Sequence, residues 1–325
     1  MTVFVGAEAT RQVLDWDEMI ECLRAAYARP HAARTSTRAL ARGEGNWLRG
    51  LVSVPPAGAH MGAKVFGIAR ARRASYLISL FDQTSGELVA LVDGIHVTAL
   101  RTAATSALAV DLMAPRRALA VGVLGSGAEA QAHVRALARV RELKAVRLYS
   151  PTPANRDRVA AELARELRLP CTAAASAAHA LEGSDLVIAA ARSHDEQPVF
   201  AGAWLRPGML VVSIGSTIPE QREIDAATIE ACDLIVCDMV HEVVEETGDF
   251  IAAKASGIEF ESKMASLNEL VRGQLQARLS AARLPLYKSV GAAVQDITVA
   301  EIAVRRALER GLATPLPMAL EIKQV

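Results

Sequence analysis

From residue 119 onward the chain alternates short apolar runs with longer stretches in which apolar positions recur at helical spacing. The runs at 119–124, 145–149, 185–190, 209–214 and 234–237 are apolar at nearly every position, which predicts strands covered on both faces. Strands of that kind belong in a parallel sheet with helices on either side, and residues 152–167 supply one such helix. A weaker strand is predicted near Cys171, and the series reads as complete near Asp238.

The residues before 119 follow a different rhythm. Residues 16–28 are helical in period, and strands are expected around 47–54, 62–68, 75–81 and 88–92, with a hairpin turn at 82–86. An alanine-rich helix from about 95 to 113 follows, and Pro115 then breaks the pattern at a hinge position. This makes an antiparallel α+β unit, to which the helical run 298–311 is expected to return. No internal repeat or low-complexity linker interrupts the chain.

Composition narrows the function classes. With 325 residues, 51% hydrophobic and 22% charged, the chain can build two ordinary cores. Lys plus Arg equals Asp plus Glu at 36 each, so charge points to neither nucleic acid nor a membrane surface, and a small-molecule partner is expected. Cys22, Cys171, Cys232 and Cys237 lack metal or disulfide spacing, which fits a reduced cytoplasmic protein without structural metal. The N-terminus has no basic and apolar leader, and no window of membrane length is free of charge, so neither export nor a span is expected.

The first chemical signal is LGSGAEA, where the apolar run to Leu124 meets Gly125, Gly127 and Ala130 before a helical stretch. Gly125 allows a tight turn, Gly127 lets backbone approach a pyrophosphate, and Ala130 lets the helix pack closely. The helix N-terminus, with Ser126, Ala128 and Glu129, offers N–H groups and partial positive charge to phosphate. With a strand before it and a helix after it, this is a dinucleotide-binding turn. The fold class is therefore α/β: a Rossmann dinucleotide-binding domain over 116–294, plus an α+β domain over 1–115 and 295–325. The second strand ends in Tyr149, Ser150, Pro151 and Thr152, without the carboxylate that binds the ribose of NADH. Ser150, Thr152, Asn155 and Arg156 can instead bond a 2′-phosphate, so NADPH is favoured over NADH. The alternative is that Pro151 and Asn155 only begin the next helix, with Arg156 on its solvated face.

Two residues of the N-terminal part stand out as chemistry. Lys64, in HMGAKVFG, lies on a predicted strand on the same side as Phe66. It reads either as an edge-strand lysine kept in water or as a functional ammonium. Arg101, in VTALRTAATSALA, sits on a small-residue helix and is either a surface residue or a guanidinium fork for a carboxylate.

GAKVFG, DGIHVTALRTAATSALA, VLGSGAEA, PVFAGAWLRPGMLVVSIGS, REID and KSVGAAVQD together, over nearly the whole chain and in this order, resemble the ornithine cyclodeaminase and mu-crystallin family. The resemblance implies a homodimer whose non-Rossmann domain supplies both the subunit interface and the substrate pocket. It also implies a nicotinamide cofactor. Lys64 then matches the lysine that contacts substrate, Arg101 the arginine that binds its carboxylate, and Arg38 a second such arginine, with Arg42 as its rival. Two guanidinium groups in a dry cleft orient a substrate for hydride transfer. In such a pocket, burial and neighbouring arginines would both depress the pKa of Lys64, making a proton donor usable near neutrality.

One departure from the family pattern bears on the reaction. Members that deaminate ornithine carry an aspartate in the turn after the strand at 209–214, whereas this chain reads GSTIPEQREID with Thr217 there. Threonine has no accessible pKa for such acid/base work. The expectation is a ketimine reductase acting on Δ1-pyrroline-2-carboxylate or Δ1-piperideine-2-carboxylate. The alternatives are a cyclodeaminase or alanine dehydrogenase-like enzyme, and a nicotinamide-binding protein without turnover. Leu51 and Ser53 stand roughly where cyclodeaminases place a glutamate and a methionine, which also argues against ornithine. Asp296 reads as a pocket residue or as an N-cap for a helix opening at Thr298. Glu223 reads as the acid of the family motif or as a brace for the next helix, and His133 and His241 as structural.

Overall fold

The computed structural model describes residues 2–69, 73–191, 195, 197–317, 320–321 and 323. They form two compact units, Met1–Thr105 with Ala292–Val325, and Ser106–Gly291. The chain passes between them within the helix Gly94–Met113.

In the first unit six strands form most of one sheet: β1 (Val3–Val5), β2 (Ser36–Gly43), β3 (Asn46–Ser53), β4 (His60–Ile68), β5 (Ala74–Asp82) and β6 (Leu88–Asp93). β2 to β6 run antiparallel in succession, β1 joins β6 in parallel, and the C-terminal segment Thr314–Pro315 closes the edge beyond β1. Register puts Arg38, Leu51, Lys64, Ile78 and Val92 in one row across the sheet, so these side chains share a face. Helix Ala293–Glu309 packs on that face, and helix Trp16–Ala28, N-capped by the Asp15 carboxylate, packs beside it.

The second unit is an eight-stranded parallel sheet: β7 (Leu119–Leu124), β8 (Leu143–Tyr149), β9 (Cys171–Ala173), β10 (Leu186–Ala189), β11 (Leu210–Ser213), β12 (Leu234–Cys237), β13 (Met264–Ser266) and β14 (Pro285–Lys288). Its order is β13-β12-β14-β11-β10-β7-β8-β9. Every residue of β10, β11 and β12 is buried, as expected of strands with helices on both faces.

Three expectations need correction. The sheet does not end near Asp238: β13 and β14 follow, and β14 inserts between β11 and β12. β13 is only three residues long and β14 reads PLYK, so neither shows a continuous apolar run. The strand β2, STRALARG, was not expected, because an edge strand of alternating Arg and small residues carries almost no hydrophobic signal. The last long helix opens at Ala293 with Ala292 as its N-cap residue, so Asp296 lies inside its first turn and is not an N-cap.

Candidate functional site

In the first unit β4 and helix Ala293–Glu309 bring Lys64 and Asp296 together, and helix Gly94–Met113 adds Arg101. Lys64 Nζ donates to Asp296 Oδ1 at 2.8 Å, and Arg101 Nε donates to the same oxygen at 2.8 Å. Arg101 Nη1 donates to Gln295 Oε1 at 2.7 Å, and Gln295 Nε2 donates to the Tyr27 hydroxyl at 3.0 Å. Lys64 is 1% exposed, Arg101 4% and Asp296 0%, so this is a dry ionic cluster. Such a cluster survives burial only when its members satisfy one another. Asp296 Oδ2 is buried without a hydrogen-bond partner among the described residues.

The surroundings set the acidity of Lys64. Burial pushes its ammonium down to about 8, and the Arg101 charge pushes the same way against the pull of Asp296. The Lys64 ammonium also lies 5.4 Å from the Phe66 ring, which stacks on Tyr76 at 4.8 Å. The edge-strand reading of Lys64 is thereby excluded, because its side chain points into protein and not into water.

Arg38 stands in the same row as Lys64, two strands away, and is partly buried. Arg42 is exposed near the end of β2, opposite Trp47. Leu51 is buried between Arg38 and Lys64 in register, and Ser53 donates to the Thr35 carbonyl oxygen at 2.8 Å.

In the second unit β7 ends at Leu124, and helix Ala128–Val140 begins after Gly127, with no side chain capping its first N–H groups. Gly125 has φ +124°, and a Cβ there would lie 2.5 Å from the Ala190 carbonyl oxygen. Ala130 is fully buried against this turn, Gly127 and Ala128 are exposed, and Ser126 and Glu129 are half-buried. The turn thus leaves its backbone donors open, as a pyrophosphate requires. At the end of β8 the Ser150 hydroxyl is buried without a partner among the described residues. Arg156 Nη1 donates to the Ser150 carbonyl oxygen at 2.9 Å, and its guanidinium lies 5.4 Å from the Tyr149 ring. Thr152 and Asn155 are exposed at the start of helix Pro153–Leu167. These residues fit a nicotinamide dinucleotide: an uncapped helix end for its phosphates and an orphan hydroxyl where its ribose is expected.

Thr217 lies in the loop after β11, where its backbone N–H donates to Gln221 Oε1 at 3.2 Å. No carboxylate stands at that position. His133 is buried between the Glu129 carbonyl oxygen and Ser106 Oγ, and burial lowers it to about 4, in keeping with a structural role. Sequence reading missed a second buried charge cluster, formed by Glu223, Asp249 and Lys288. The lysine ending the PLYK run was the available signal.

Among the described residues no cluster of metal-binding side chains occurs, and no helix is long and apolar enough to cross a membrane.

Residues 62–311 match the ornithine cyclodeaminase/mu-crystallin family. The ketimine reductase mu-crystallin of Mus musculus is 30% identical over 225 residues, 69% of this chain and 67% of its own length. A Δ1-pyrroline-2-carboxylate reductase of Bacillus cereus is 30% identical over 237 residues, 73% of this chain and 72% of its own. Among solved structures, the Thermococcus litoralis Δ1-pyrroline-2-carboxylate reductase in complex with NADH and L-proline superposes with a TM-score of 0.88 at 26% identity, covering 97% of this chain and 100% of that one.

Proposed function

The chain belongs to the ornithine cyclodeaminase/mu-crystallin family, and from that premise we propose that it is a nicotinamide-dependent ketimine reductase. Its substrate is a cyclic imino acid of the Δ1-pyrroline-2-carboxylate or Δ1-piperideine-2-carboxylate class, reduced to the L-amino acid proline or pipecolate. The observation that carries this reading is the dry Lys64–Asp296–Arg101 cluster.

A reduced nicotinamide, when bound, supplies the hydride that becomes the new C–H bond. Gly125, Ser126, Gly127, Ala128, Glu129 and Ala130 would hold its pyrophosphate, and Ser150, Thr152 and Arg156 the adenosine ribose. With no carboxylate at 149–152, these residues favour NADPH over NADH. Lys64 supplies the proton: its ammonium, softened to about 8, gives one proton to the ring nitrogen, so that C=N gains one hydride and one proton. Asp296 Oδ2, buried without a partner among the described residues, would accept the N–H that this proton transfer creates on the ring nitrogen. Arg38 and Arg101 bind the carboxylate, and the bonds of Arg101 to Asp296 and Gln295 hold its guanidinium plane fixed before substrate arrives. Thr217, bonded through its N–H to Gln221, offers no acid/base group where the family's deaminating members carry an aspartate, which favours reduction over deamination.

We also propose a homodimer joined through the exposed face of the first unit's sheet, working in the cytoplasm. The four free thiols support that location.

The test is a panel of five- and six-membered cyclic imines and of proline, ornithine and alanine, each with both phosphorylated and unphosphorylated nicotinamide dinucleotides. Consumption of NADPH with a cyclic imine is the expected result. Ammonia release from ornithine or alanine with no imine reduction would overturn the proposal.

A further inference from the structure

The second unit contains a closed ring of buried polar groups at the carboxyl ends of its strands. Glu223 Oε2 accepts from Ser213 Oγ at 2.6 Å and from the Gly215 N–H at 2.8 Å, while Oε1 accepts from the Ala191 N–H at 3.1 Å. Lys288 Nζ donates to Ser213 Oγ and to Asp249 Oδ2, each at 2.9 Å. Asp249 Oδ1 closes the ring by accepting from the backbone N–H of Glu223 at 2.7 Å and of Ile224 at 3.2 Å. Glu223, Lys288 and Ser213 are 0% exposed and Asp249 is 1% exposed.

Three charges taken out of water cost several kcal/mol each unless well paired, so a ring of this kind adds little net stability over apolar packing. What it supplies is geometry. The Glu223 carboxylate ties the segment leaving β10, at Ala191, to the segment leaving β11, at Gly215. The approach is so close that a Cβ on Gly215 would lie 2.2 Å from the Ala191 carbonyl oxygen and 2.3 Å from Glu223 Oε1.

These segments stand where a dinucleotide is expected. β7 has β8 on one side and β10 on the other, so the winding of the sheet reverses between β7 and β10. In open parallel sheets a dinucleotide lies across that reversal, one half on each side. The glycine turn and the end of β8 serve the adenosine half, which leaves the carboxyl ends of β10 and β11, with Ala191 and Gly215, on the side of the nicotinamide half.

We propose that Glu223, held by Lys288 and Asp249, is a positioning residue for the nicotinamide half of the cofactor, locking the backbone at Ala191, just after β10, and at Gly215, just after β11, into one geometry. The inference rests on the dinucleotide reading above. Glu223→Gln is the sharpest probe. The carboxylate faces three donors with two acceptor oxygens, and an amide offers one oxygen and one NH2 group, which meets a donor whichever way it is turned. Ser213→Ala removes one of the three donors and is a milder second variant.

Two measurements decide it. Titration of wild type and both variants with NADPH, NADH, adenosine 2′,5′-bisphosphate and 5′-AMP compares each whole dinucleotide with its adenosine half. In Glu223→Gln the Kd of the dinucleotides rises tenfold or more while that of the adenosine halves stays within twofold, and Ser213→Ala moves the same way by less. Hydrogen exchange on the ligand-free proteins shows the Ala191 and Gly215 amides opening faster in the variants. Equal weakening of whole and half ligands, or unchanged exchange at both amides, overturns the proposal. If wild type binds none of the four nucleotides, the cofactor reading fails, and the positioning role toward a nicotinamide falls with it. Unchanged exchange with normal wild-type binding refutes the positioning role alone. Should Glu223→Gln not fold, Ser213→Ala carries both measurements.

Discussion

Lys64 is the residue on which the proposed chemistry turns. Its side chain is stranded among Arg101, Asp296 and Phe66, and desolvation lowers its ammonium to about 8. A proton donor must be protonated to act, so kcat/KM for imine reduction should hold below pH 8 and fall about tenfold per unit above it. Asp296 is the partner that pulls the Lys64 pKa upward, so Asp296→Asn should move that falling limb to lower pH. An Asn oxygen can still accept from Arg101, so a pH–rate profile on the folded variant is the measurement. Lys64→Arg keeps the charge but cannot release the proton. It should lower kcat by about 10² to 10⁴ while leaving the dinucleotide Kd unchanged. An unchanged kcat would remove Lys64 from the reaction. Linkage gives a second sign: a lysine whose folded pKa lies below its unfolded one adds stability as pH rises from about 8 through its ordinary value, because the unfolded chain then binds more protons.

At the scale of elements, the turn from β7 into helix Ala128–Val140 depends on Gly125. Alanine there meets both a positive φ and the Ala190 carbonyl oxygen. Gly125→Ala should cost about 1–3 kcal/mol in stability and weaken dinucleotide binding, read by thermal melting and by fluorescence titration. This turn was legible in the sequence because strand, glycines and helix stand within one short stretch. The helix Trp16–Ala28 was legible through its period, and Gly94–Met113 through its run of alanine and other small residues. What escaped was whatever depends on distant partners. β14 enters the middle of the sheet between β11 and β12, a place set by tertiary pairing that PLYK does not announce. β2 is a strand because β3 pairs with it along its full length, although its own residues are mostly exposed. Asp296 illustrates the same limit. Local spacing allowed an N-cap, and only the packing of helix Ala293–Glu309 on β4 shows it meeting Lys64.

For the whole molecule, the sheet of the first unit carries two different faces on the same strands. In β4 the side chains of Lys64 and Phe66 take the covered face, so Ala63 and Val65 take the other. Register extends that second face to Leu48 and Val52 on β3 and Leu77 on β5, which are 54%, 47% and 44% exposed, with Val65 at 39%. A monomer rarely leaves so contiguous a set of large apolar side chains in water, and a sheet face is the self-complementary surface that a twofold dimer uses. A stable interface needs about 800 Å² per partner, which a patch spanning several strands can supply. The wild-type chain should therefore sediment at twice its 34.5 kDa mass. Val65→Glu combined with Leu77→Glu places like charges side by side in register and should yield monomers with unchanged far-ultraviolet circular dichroism. Because strand alternation keeps both substitutions off the face that carries Lys64, the pH limb near 8 should survive in any activity the monomer retains. A wild type that sediments at one mass would refute the dimer, and a double variant that stays dimeric would move the interface elsewhere.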